Sequence, residues 1–515
     1  MESYGIGNES SSTYPTKWSN WFSTTSWEVR EYFTEDDYRE AAQITATPIP
    51  GGFTFVRKQP LIALPPEVKA RNIEILRTRH HEWTHFRQHI STQLGLFLHR
   101  LAGLRENAVV QFFRTLNETG IKYEAAPFRI LLSQYDKAMK HDRSEAVERI
   151  FTWLSVYQAA EIVGDTLWCR TMSLRDLKKA WKMVMTASRG LRYLSVDSFE
   201  CRLETTRNVD EQSCPHGHIT VQQLCEGFAK FQEFIHIASA YSVEDAMKYV
   251  LPTATGLYQG ASDYIYENLG IPFYHPLNGA LQEVSLLCFL DPVLSANRDS
   301  LKWEDIHPGF RFEKAVRNIT THTIADNPEE AYNQALEAFE LSDGSFFKAS
   351  NHWLQSVRQD YQSIDSLGNE IPSSSEDLMK LVQQYHKSTF IEAMSIRRDY
   401  PTAFFWQGSG PAQVRSQIQS LTRPPLIINP NGIFLPHGGG RSLIIGIASI
   451  YHALSAYALD ETAKSATLSE TIQFAEKARS LAPDVFPKTY VRDMLLENLG
   501  QCIEAYLDKL IGGVE

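Results

Sequence analysis

After Pro65-Pro66 apolar residues recur at spacings of three and four, clearest in "TQLGLFLHRLAGL", and few helix breakers interrupt residues 67–104. That period predicts one long helix. The same pattern predicts helices over about 126–140, 144–163, 173–188 and 220–241. The last has a start signal, Thr220 as N-cap with Gln223 three residues on, which together form a capping box. Asn327-Pro328-Glu329-Glu330 opens another helix, with proline in its first turn and acids near the positive end of its dipole. One more begins near Glu376, after the linker-like "IDSLGNEIPSSS" at 364–375. Residues 43–64 hold short apolar stretches broken by Pro and by Gly51-Gly52, which predicts strands or a hairpin. A second short β stretch is expected around 424–435, while residues 1–40 are aromatic and polar without clear period. The expected fold is mainly α with a small β region near the N-terminus. It divides into an N-terminal segment (1–64), a helical core (65–250), a helical region (251–365) and a C-terminal helical region (376–515).

Composition narrows the function classes. The chain has 515 residues, 43% hydrophobic and 22% charged, ample for a large core. A net charge of −11, with no long basic run, argues against nucleic acid or an anionic membrane as main partner. Cys169, Cys201, Cys214, Cys225, Cys288 and Cys502 show no CxxC pair and no disulfide framework, which suits a reducing compartment. The N-terminus lacks the basic-then-apolar order of a signal peptide. "SLIIGIASIYHALSAYAL", from Ser442, carries His, Gly and small polar residues, so it reads as a buried helix. A soluble cytoplasmic protein is expected. "NPEEAYNQALEAFE" and "ETIQFAEKARSLAPD" each resemble half a tetratricopeptide repeat, but no 34-residue period joins them and they read as two amphipathic helices.

Chemistry enters at residues 80–89, "HHEWTHFRQH", where His81-Glu82-Trp83-Thr84-His85 fits H-E-x-x-H. On a helix, positions four apart lie about 40° apart around the axis, one turn up, so both imidazoles reach one ion. Glu82 falls about 100° round from His81, suited to hold and deprotonate a water but not to ligate. Zinc-assisted hydrolysis needs that set, plus a third protein ligand. The metzincin pattern fails, because Gln88 stands at its glycine and Ser91 at its last histidine. A thermolysin-like spacing brings Glu106 near, in a poorly matching context. The stronger candidate is Glu226 in "LCEGFAKFQE", beside Gly227 and Ala229. A glycine within a helix costs about 1 kcal/mol relative to alanine, and close packing of this helix against the metal helix would compensate.

H-E-x-x-H followed much later by E-G-x-A on a second helix resembles the gluzincin type of zinc metallopeptidase. The likeness covers about twenty residues in two pieces. It implies a zincin-like helix pair within a large helical protein, with His81, His85 and Glu226 holding Zn²⁺, Glu82 as general base, and a peptide or protein as substrate. It leaves the residue stabilising the oxyanion unassigned.

Around these residues the sequence leaves alternatives open. Thr78, Gln88, His89 and Thr92 share the metal-facing side of the first helix, and Gln88 or His89 could orient a ligand. His80 points elsewhere and reads as a surface histidine. Glu233 lies within about 20° of Glu226 but two turns on, about 10 Å away, which suits a supporting or salt-bridge role. "SCPHGH" (Cys214 to His218) and His437 in "LPHGGGRS" read as loop residues, with His437 an outside candidate for the oxyanion. Two rival functions remain. Glu82-x-x-His85 and Glu233-x-x-His236, with Glu161, would suit a di-iron carboxylate oxidoreductase. A non-catalytic helical interaction protein is the other, and the C-terminal helical half could hold a protein partner under any reading.

Overall fold

The computed structural model describes residues 21–22, 28–45, 47–49, 52–56, 65–168, 173–188, 202–204, 219–287, 300–319, 324–341, 375–406, 410–421, 424–435 and 440–511. The fold is mainly α with a small β region near the N-terminus, as the apolar period predicts. In chain order it begins with β1 (Trp21–Phe22), β2 (Glu28–Arg30), α1 (Glu35–Thr45) and a hairpin of β3 (Thr47–Ile49) and β4 (Gly52–Val56). Five helices follow: α2 (Pro66–Ser91), α3 (Gln93–Thr119), α4 (Phe128–Ala138), α5 (Glu145–Trp168) and α6 (Leu174–Ser188). After β5 (Arg202–Glu204) come α7 (Val221–Ala240), α8 (Val243–Tyr249), α9 (Gly260–Leu269) and α10 (Pro276–Leu287). Strand β6 (Ser300–Lys302) pairs with β5 and leads into α11 (Trp303–Ile306), α12 (Pro308–Asn318) and α13 (Pro328–Ala338). The C-terminal part holds α14 (Ser375–Asp399), α15 (Ala412–Leu421), β7 (Leu426–Asn429), β8 (Gly432–Phe434), α16 (Gly440–Ala463), α17 (Ser469–Leu481), α18 (Tyr490–Leu499) and α19 (Glu504–Ile511).

The expected single helix over 67–104 is two helices. Thr92 breaks it with extended backbone (φ −126°, ψ 155°), and its side chain accepts from the Gly95 amide to cap α3. The turn is tight: a Cβ at Gly95 would lie 2.0 Å from the His89 carbonyl oxygen, so only glycine fits. Thr220 and Gln223 form the capping box that opens α7, as the sequence predicts.

Helix α7 lies between α2 and α10. The expectation that Gly227 admits the metal helix is corrected here. A Cβ at Gly227 would meet Gln282 Oε1 of α10 at 2.4 Å, so the glycine makes room for α10. Gly279 on α10 does the reverse, since a Cβ there would strike the Phe231 ring of α7. Glu226 and Gly227 are adjacent, about 100° apart on the helix, and so face different neighbours.

A buried polar network ties α2, α7, α10 and α14 together behind this pair. Arg397, 1% exposed, donates to Glu283 Oε1 (3.0 Å) and to Ser91 Oγ (2.7 Å). Arg87 donates to Gln232 Oε1 at 3.1 Å, and the Gln232 amide donates to the Phe405 carbonyl at 2.6 Å.

A four-stranded sheet in the order β1–β2–β7–β8 joins N-terminal residues to C-terminal ones, with β2 and β7 parallel. Residues 1–20 and 364–374 lie outside the described residues, as do Cys214 to His218 and His437. Helix α16 contains Leu443–Ala463, long and apolar enough to cross a membrane, and 89% of that window is buried inside the protein.

Candidate metal centre

The two turns of α2 that carry H-E-x-x-H are fixed from both sides. On one side Glu31, just past β2 and 1% exposed, accepts from Arg79 Nε and Nη2 and from Trp83 Nε1 of the motif itself. On the other side α7 presents Glu226 and Glu233. Spacing of four brings the two imidazoles together, with His81 Nε2 and His85 Nε2 3.0 Å apart. Glu226 Oε2 lies 3.0 Å from the first nitrogen and 3.3 Å from the second. Of the two glutamates considered as third ligand, Glu226 is therefore the one at this point. Glu106 is elsewhere, 3.6 Å from His452 Nε2 on α16.

Hydrogen bonding fixes which ring nitrogens carry protons. The Cys225 carbonyl can only accept, so the Gln88 amide nitrogen must face it (3.1 Å). Gln88 Oε1 then faces His85 Nδ1 at 2.9 Å and receives its proton. Likewise His81 Nδ1 donates to Glu233 Oε1 at 2.7 Å. In their neutral form, with Nδ1 protonated, the two rings turn their lone pairs at Nε2 toward Glu226. Two imidazole lone pairs and a carboxylate oxygen thus converge within about 3 Å, an arrangement of acceptors that demands positive charge. Ligand atoms about 2.0–2.2 Å from a tetrahedral zinc stand roughly 3.3–3.6 Å apart, close to the triangle seen here. The three residues therefore fit a metal ion, and the donor set of two nitrogens and one carboxylate leaves a fourth position for a non-protein ligand.

Electrostatics show the same demand for positive charge, which a proton on the rings meets when no ion does, so metal binding displaces that proton. Burial disfavours the charged ring at His81, but the Glu226 and Glu233 carboxylates outweigh it and raise the group to about 10. Burial likewise opposes ionisation of Glu226, and His85 and His81 hold it well below the usual carboxylate range. Glu233 is kept ionised against burial by His81 and Lys230, whose ammonium bonds both its oxygens at 2.9 Å, with Arg77 at 3.5 Å. Glu82 differs. Burial raises it to about 7, with His81 and His85 pulling the other way, which suits a group that must take and return a proton.

The other sequence candidates are distributed as follows. Gln88 and Glu233 support the ligands directly. His89 lines the same cavity, but its ring packs against His99 and Phe390, not against a ligand. Thr78 and Thr92 hydroxyls donate to backbone carbonyls of their own helix, those of Glu74 and Gln88. His80 is half-buried and not freely exposed: its ring stacks on that of His236 of α7 at 4.3 Å, where the two helices meet. His236 is thereby engaged with His80, and Glu161 pairs with Arg105 at 3.6 Å, so neither joins the His81–His85–Glu226 group.

Sequence reasoning missed Tyr258. It lines the cavity, its ring stands edge-on to His81 at 5.6 Å, and burial together with Glu226 pushes its hydroxyl up to about 12. A turn at Gly256, with φ +60°, sets it there after α8. Only that glycine hinted at a special backbone, and no spacing links it to the motif.

Supporting bonds should be measurable. Glu233→Ala is expected to weaken metal binding by about 10–100-fold, and Glu233→Gln, which keeps an acceptor for His81 Nδ1, by less. Competition with a chromogenic chelator measures both. Equal loss in the two variants would show that charge, not orientation, is what Glu233 supplies.

Fold and site together define a helical protein with a His–His–Glu centre able to hold a metal ion. No protein-family model, curated protein or solved structure matches the chain.

Proposed function

We propose that this protein is a zinc-dependent metallopeptidase. The single observation that carries the reading is the convergence of His81 Nε2, His85 Nε2 and Glu226 Oε2 within 3.0–3.3 Å of one another, with buried Glu82 lining the same cavity. His81, His85 and Glu226 hold the ion, while Glu233 and Gln88 fix the two rings. Zinc supplies Lewis acidity, lowering the pKa of a water and polarising a carbonyl oxygen. Glu82 takes a proton on its carboxylate during attack and returns it to the leaving amine. Tyr258, which lines the cavity with its ring edge-on to His81, is assigned the role of donor to charge developing on the carbonyl oxygen.

The di-iron reading needs Glu161 and His236 at this point, and they pair with Arg105 and His80 instead; nothing specific among the described residues favours the interaction-protein reading. Metal analysis of the purified protein is expected to give about one zinc per chain, with peptide hydrolysis that a chelator abolishes and zinc restores. Iron in place of zinc, with a near-ultraviolet band, would overturn the proposal.

A further inference from the structure

The cavity next to the triad is chemically two-sided. One wall carries the triad, Glu82 and Tyr258; the other carries Leu94 and Leu98 from the first turns of α3, Trp168 from the end of α5, and Leu286 from α10. Of these four apolar residues Leu98 and Trp168 are half-buried, and Leu94 and Leu286 are buried. Gln88 and Thr92 at that end are already engaged. Gln88 bonds His85 and the Cys225 carbonyl, and the Thr92 hydroxyl is spent on the Gln88 carbonyl and the Gly95 amide. No Lys, Arg or Asp lines the cavity among the described residues, and its only carboxylates are Glu82 and Glu226.

This arrangement says what can enter. A site that trims from the C-terminus needs a cation to receive the terminal carboxylate, and one that trims from the N-terminus needs spare carboxylates for the ammonium, because a buried charge without a partner is strongly disfavoured. Neither is present. The volume, about 210 Å³, is below the roughly 300–1,000 Å³ of pockets that engulf whole small ligands, and fits one large side chain.

We propose that this cavity is a side-chain pocket, and that the protein is an endopeptidase cutting internal bonds beside a leucine- or phenylalanine-sized apolar residue. The inference rests on the hydrolase reading above and adds the substrate class. The apolar side chain leaves water against Leu98 and Trp168, and the adjacent carbonyl is thereby brought to the triad and Glu82.

The test uses the zinc-loaded full chain and a mixture of peptides with free and blocked ends, with cleavage sites read by mass spectrometry. Cuts at internal bonds, with Leu, Phe or Met beside the cut preferred over Ala by roughly 10–200-fold in kcat/KM, are expected. Leu98→Asp should reverse that preference while keeping one zinc per chain; should it not fold, Leu98→Ala should reduce the preference severalfold. A second readout is independent of turnover: N-acetyl-leucinamide should bind in ligand-observed NMR, N-acetyl-aspartamide should not, and Leu98→Asp should abolish the difference. Stepwise trimming from either end, or charged residues beside the cut, would overturn this inference and leave hydrolysis standing. No cleavage of any peptide, with equal binding of the two probes, would sink both.

Discussion

Glu82→Gln is expected to keep about one zinc per chain and to lower kcat for peptide hydrolysis by roughly 10²–10⁴-fold, the usual contribution of a positioned general base. The amide is nearly isosteric with the carboxylate, so the fold and the triad stay intact. Glu82 is 5% exposed and touches neither the His81–Glu233 bond nor the His85–Gln88 bond, so the ligand rings keep their orientation. What disappears is the ability to accept a proton, since an amide has no such capacity near neutral pH. Metal content and steady-state kinetics on the same preparation decide the matter. Retained hydrolysis at full metal occupancy would remove Glu82 from the mechanism, and lost metal would mean that it acts as a ligand.

The second large effect concerns stability. Glu283 accepts from Arg397 at 3.0 Å, both groups are 2% exposed or less, and Arg87 lies close enough to feel the same carboxylate. Glu283→Ala strands the buried Arg397 guanidinium, which keeps the Ser91 hydroxyl as a hydrogen-bond partner, and is expected to destabilise the protein by about 3–5 kcal/mol. Removing the cation as well, in Glu283→Leu with Arg397→Met, is expected to recover most of that loss, because a well-packed apolar pair can replace a buried ion pair. Urea titration monitored by far-ultraviolet circular dichroism compares the three proteins. A single variant with unchanged midpoint would show that the pair contributes nothing to stability.

Much of the helical architecture is legible in the chain because helices advertise themselves locally. The capping box at Thr220, the Pro-Glu-Glu start at Pro328 and the apolar period of α5 and α7 need no tertiary information. Strand pairings were out of reach for the opposite reason: β2 is three residues long, and its partner β7 lies near the other end of the chain. The break at Thr92 was hidden because its two flanking helices continue one apolar period, although Thr-x-x-Gly at 92–95 was a signal in plain view. At the site, spacing alone paired His81 with His85, and the small residues beside Glu226 marked its helix for close approach. Gly227 drew attention to the correct helix for a partly different reason, since the neighbour it admits is α10. Tyr258 and the stacking of His80 on His236 depend on how α2, α7 and the loop after α8 meet, which no periodicity encodes.

The parallel pairing of β2 with β7 has a consequence for how the molecule comes into being. Arg30 at the end of β2 bonds the Tyr457 hydroxyl of α16, 427 residues away in sequence, and the next residue, Glu31, clamps Arg79 and Trp83 on the metal helix. During synthesis α2 and α7 can pack once α7 has emerged, since both lie in the first half of the chain. Glu31 cannot be held in place until β7 has left the ribosome. The N-terminal brace of the motif is therefore among the last parts to close, so a chain arrested before residue 426 would carry every residue of the triad and still lack the brace that steadies it.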